Sequence, residues 1–78
     1  MSHTPHELNA EFPEFAARIS ALKVSDAHFA RLAAEYHEVN RAVHRAETRV
    51  EPVEDLAMDE LRKRRLRLKD QIYAILTA

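Results

Sequence analysis

Three groups of side chains in this 78-residue chain are of types that could do chemistry: histidines, clustered carboxylates and a run of cations. His37 and His44 are seven residues apart. On a helix that spacing gives one face but a gap of roughly 10 Å along the axis. Metal–ligand bonds are only about 2 Å long, so a single ion cannot join the two directly. His3 and His6 offer two ligands from the N-terminal stretch, too few for a firm site, and no His-Glu-x-x-His arrangement occurs. These histidines are expected at surface or seam-edge positions, and no metal site is assigned. Glu47, Glu51, Glu54, Asp55, Asp59 and Glu60 crowd one turn. An EF-hand loop would need a glycine, and the chain has none. Acids beside a helix start suit the helix dipole, so a solvated loop is the simpler reading.

The cations form the run Arg62-Lys63-Arg64-Arg65-Leu66-Arg67-Leu68-Lys69. Such a density suggests phosphate binding. On a helix, however, these side chains point around most of the circumference, and only Arg62, Arg65 and Lys69 make one clear stripe. That stripe is the candidate anion-binding site. Glu35, Glu38 and Glu47 on the neighbouring helix are expected as counter-charges. The aromatic interleaving that single strands favour is missing. An ion-paired, solvated face is therefore preferred, with nucleic-acid or ribonucleoprotein binding as the alternative. The hydroxyls of Ser2, Thr4, Ser20, Ser25, Thr48, Thr77 and the two tyrosines stand in no nucleophile–base motif. No catalytic residue, cofactor-binding residue or small-molecule substrate is assigned, and the protein is read as a non-enzyme.

The elements that position these residues are helices. Glycine and cysteine are absent, charged residues make up 32%, and Ala, Leu, Glu and Arg dominate. Without glycine the tight hairpins of a β fold are hard to build, and without cysteine a disulfide framework is impossible. The chain is long enough for one domain with a modest core, for which oligomerisation is a usual source of added stability.

From Phe29 to Val50 the apolar or small residues Phe29, Leu32, Tyr36, Val39, Val43, Ala46 and Val50 alternate at three and four. This heptad stripe predicts a central helix over 26–50. Asn40 sits beside the stripe, where it either fixes register between helices or faces solvent. Pro52 ends this helix. A last helix over 56–77 follows, with Asp55 as its cap and Met58, Leu61, Leu68, Ile72 and Ile75 at the same spacing; Arg65 fills the one polar slot. The short connection requires an antiparallel hairpin in which paired residue numbers sum to about 107.

Before the hairpin, Thr4-Pro5-His6-Glu7 reads as a helix start that cannot run smoothly through Pro13. The first full helix is predicted over 13–23, with Phe12, Phe15, Ile19 and Leu22 on one face. A break or sharp kink is expected near residues 24–25, with Ser25 as cap and Val24 and Phe29 as a staple. The alternative is one continuous helix over 13–50. The fold class is thus all-α: an antiparallel, coiled-coil-like helical hairpin with a short preceding N-terminal helix, in one domain over 1–78.

The pieces Glu11-Phe12-Pro13-Glu14, Leu22-Lys23, His28-Phe29, Glu35-Tyr36-His37-Glu38-Val39-Asn40, Arg45-Ala46-Glu47 and Arg65-Leu66-Arg67-Leu68-Lys69-Asp70 together resemble the YdcH-like family of small bacterial helical proteins, a domain of unknown function. The resemblance covers nearly the whole chain, from about His6 to Leu76. It implies an antiparallel helical hairpin in a bacterial cytosolic setting, and it implies no activity and no functional residues.

Residues 1–60 carry a net charge of −6 and residues 61–78 a net charge of +5. No signal peptide or membrane-spanning run is visible, so a cytoplasmic location is expected. Phe12, Phe15, Ile19 and Leu22, with Leu66, Tyr73 and Leu76, exceed what one hairpin can bury. They are the candidate face for self-association, as a dimer or tetramer, or for docking on a protein partner.

Overall fold

The computed structural model describes residues 6–48 and 55–78, the side chains of 55 and 56 excepted, and every described element is helical. They are α1 (Leu8–Glu11), a 3₁₀ turn (Pro13–Phe15), α2 (Ala16–Ser25), α3 (Ala27–Thr48) and α4 (Asp55–Leu76). The expected end of the central helix at Val50, the Pro52 stop and the Glu51–Glu54 connection lie outside the described residues.

Pro13 acts as its chemistry requires. Phe12, the residue before it, leaves the helical region at φ −129° and ψ 62°, which ends α1 after a single turn. Pro13 then stands at the start of the 3₁₀ turn, where its missing N–H leaves no helical bond unmade. α1 is the short turn expected after the Thr4-Pro5-His6-Glu7 start; it opens at Leu8 with Glu7 at the N-cap position, and the expected cap Thr4 lies outside the described residues.

Between α2 and α3 the chain does break, so residues 13–48 are not one continuous helix. The break falls one residue later than expected. Asp26 is extended at φ −129° and ψ 105°, and its Oδ1 accepts the backbone N–H groups of His28 at 3.0 Å and Phe29 at 3.1 Å. That is an N-cap, and it belongs to Asp26 rather than Ser25. Ser25 instead donates its hydroxyl back to the Ala21 carbonyl at 2.9 Å, as a last-turn helical residue does. The shift also removes the staple, because Val24 is 91% exposed.

α3 and α4 are each 22 residues long, or about 33 Å, and form the antiparallel hairpin. Two cross-helix hydrogen bonds, Arg62 to Glu47 and Arg65 to Asn40, bracket the expected register. The heptad stripe is buried at Phe29, Leu32, Tyr36, Val39 and Val43, and it faces Leu68, Ile72 and Leu76. Ala33 and Asn40 are buried too. They stand one position beyond the stripe, so the buried band is wider than a two-helix seam. The reason is a third layer. α1, the 3₁₀ turn and α2 fold back over one flank of the hairpin and bring Leu8, Phe12 and Ile19 into the same core. Phe15 and Leu22 pack at its edge, with Met58, Leu61 and Ile75.

Candidate functional site

The covered flank can be built up from its anchor, Tyr36. This ring is fully buried in the α3 stripe, and its hydroxyl donates to the backbone carbonyl of His6 at 2.7 Å. His6 holds that carbonyl in place with φ at 63°, a left-handed conformation that a non-glycine residue adopts only under local constraint. Burial of the phenol, reinforced by the negative charge of Glu11, pushes the Tyr36 pKa up to about 12.

Around this anchor the N-terminal segment is tied to both hairpin helices. His37 Nδ1 lies 2.6 Å from Glu7 Oε2 on the α3 side. On the α4 side Lys69 donates to Glu11 Oε1 at 2.7 Å, and His6 Nδ1 lies 3.4 Å from Glu11 Oε2. The Lys69 hydrogen bond is the main reason the Glu11 carboxyl sits below its ordinary pKa. Partial burial opposes it, and the charges of Lys69 and His6 assist it.

Aromatic contacts complete the clasp. The Phe12 and Tyr73 rings stack with centroids 5.6 Å apart, Phe15 meets Tyr73 edge-on at 6.5 Å, and Lys69 Nζ lies 5.7 Å from the Phe12 centroid.

These contacts settle where the candidate residues fall. Phe12, Ile19 and Leu76 are core residues, and Phe15 and Leu22 flank the core. They cannot form an outward docking face, because the chain's own N-terminal segment already uses them. The apolar surface left on α4 is Leu66, 58% exposed, and Tyr73, 50% exposed.

The cationic stripe is likewise engaged within the chain. Arg62 donates to Glu47 at 2.9 Å, Arg65 to the buried Asn40 Oδ1 at 3.1 Å, and Lys69 to Glu11. Of the three expected counter-charges Glu47 is used, whereas Glu35 and Glu38 make no ion pair among the described residues. Asn40 takes the register role rather than the solvent-facing one. The cleft of about 250 Å³ between His6, Glu11, Tyr36, Arg65 and Lys69 is thus a set of satisfied internal pairs. Sequence reasoning missed Leu8, Glu7 and Glu11 in these roles. The one available signal was Leu8 itself, four residues before Phe12 on the same side of a helical turn.

The opposite flank of the hairpin differs. There an open groove of about 470 Å³ runs between α3 and α4, floored by Ala34, Val39, Ala42 and Leu61. Charged side chains, Arg31, Glu35, Glu38 and Arg64, rim it. It adjoins a second open depression along α4, which reaches Arg67. Small residues at Ala34 and Ala42 make the groove floor low enough for another helix to approach closely.

Among the described residues no group of three or more His, Asp or Glu side chains is placed to hold a metal ion. No described helix is long and apolar enough to cross a membrane. No curated protein and no solved structure matches the chain. One family does match, over residues 29–76. That span holds α3 from Phe29 onward and α4 to its end, and α1 and α2 lie outside it. It covers well over half of the chain, which therefore belongs to the family described as "Protein of unknown function (DUF465)".

Proposed function

We propose that this chain is a small, non-enzymatic helical interaction protein of the YdcH-like kind, at work in the bacterial cytoplasm, which self-associates or docks on a protein partner. The observation that carries the reading is the one-sided cover of the hairpin. The N-terminal segment closes one flank, and the other presents an apolar-floored groove with a charged rim. A groove of this form suits a helix laid along it.

Nucleic-acid binding through Arg62, Arg65 and Lys69 ranks second, because each of these cations already donates to a group within the chain. Sedimentation equilibrium at micromolar concentration tests the self-association arm. A mass above the 9.0 kDa of one chain supports it. A strict monomer with full helicity removes it and leaves docking on a different protein. Binding to a random-sequence oligonucleotide that weakens steeply with salt would move nucleic acid to first place.

A further inference from the structure

We infer that the groove between α3 and α4 is the seat of a second copy of this chain, packed face to face about a two-fold axis that runs along the hairpin. The inference rests on the self-association reading and says which surface performs it and in what geometry.

The argument for a second copy is charge complementarity. The α3 rim carries Glu35 and Glu38 beside Arg31, and the α4 side carries Arg64 and Arg67 beside Glu60. None of the six makes an ion pair among the described residues. The surface is thus net negative along the α3 edge and net positive along the α4 edge. A two-fold axis parallel to the helices lays α3 of one copy over α4 of the other at the same height, so acid meets base on both sides. In the hairpin register, Glu38 and Arg67 differ in height by about two residues, or about 3 Å, within reach of side chains this long. A two-fold axis perpendicular to the helices would instead lay α3 on α3 and bring the two net-negative edges together.

The floor suits the same arrangement. Ala34 and Ala42 permit close helix approach, and the partly buried Leu61 supplies apolar contact. A stable interface takes about 800 Å² from each partner, roughly a seventh of the chain's 5561 Å² accessible surface. The product is a four-helix bundle of two layers with the α1 and α2 segments on its two outer sides.

The test is a charge swap read by sedimentation equilibrium on the full chain, with circular dichroism as the fold control. Glu38→Arg and Arg67→Glu are each expected to raise the dimer dissociation constant about tenfold or more, since each change acts twice in a symmetric dimer. The double variant, Glu38→Arg with Arg67→Glu, is expected to restore most of the loss. Leu66→Ser, on the clasped side, is expected to leave it unchanged.

A dimer that ignores both single reversals and weakens with Leu66→Ser overturns the groove and leaves self-association standing. Two weakened singles with no rescue in the double variant overturn the two-fold geometry. A wild-type chain that stays monomeric to hundreds of micromolar overturns both this inference and the self-association arm on which it rests.

Discussion

Tyr36 shows how a residue that reads as one more seam position becomes the joint of the molecule. Its place in the stripe was legible, because three-four spacing fixes which side chains point inward. Its hydroxyl partner was not, because nothing local in a sequence says that a carbonyl thirty residues earlier will return to it. Tyr36→Phe removes only that hydrogen bond and is expected to cost about 1 kcal/mol in urea denaturation. The phenol also sets a pH dependence. Its folded pKa of about 12 lies above the ordinary 10.0, so the folded state keeps a proton that the unfolded state gives up. Stability from this group is complete below pH 10 and falls as pH rises from about 10 to about 12, which alkaline denaturation will show.

Glu11 has the opposite sign. Its folded pKa lies below 4.5, so its contribution is present above that value and is lost as pH falls through the folded one. Glu11→Gln is expected to destabilise by at most about 1 kcal/mol at neutral pH and to match wild type in strong acid. Asn40 was legible as a register residue but not separable from a solvent-facing one. The deciding fact is Arg65, whose guanidinium reaches it from α4. Arg65→Met is expected to cost about 1–3 kcal/mol by removing that donor from a buried amide.

At the scale of elements, the helices and the antiparallel pairing were readable from period and proline. Their described edges were readable only to within two or three residues, because several capping groups stood side by side. Ser25 and Asp26 both suit an N-cap, and either could have taken the position. The structure gives it to Asp26, whose carboxylate reaches two backbone N–H groups and also favours the positive end of α3. The two are separated by experiment: Asp26→Ala is expected to lower the thermal midpoint through a loss of about 1 kcal/mol, and Ser25→Ala to change it far less. α1 was legible as a short turn before Pro13, but its place in the core was not. Four residues make no stable helix alone, so this turn exists only because Leu8 and Phe12 find a core to enter.

For the whole molecule, the sequence-level puzzle was an excess of apolar surface. The N-terminal segment resolves most of it by folding over one flank, which a count of apolar residues cannot distinguish from a partner doing the same. Leu8→Ala tests this closure. It is expected to cost about 2–5 kcal/mol locally and to raise the exchange rate of amides in α1 and α2, while α3 and α4 stay helical by nuclear magnetic resonance. The flank left open is the one on which function is placed, and its occupant can be located residue by residue. A dilution series of amide spectra on the full chain, from tens to hundreds of micromolar, reads it directly. The expected result is concentration-dependent shifts centred on Ala34, Glu38, Ala42, Leu61, Arg64 and Arg67, with Leu8, Phe12 and Tyr36 unmoved. Shifts centred instead on Leu66 and Tyr73, or none at any concentration, would contradict the open-flank interface.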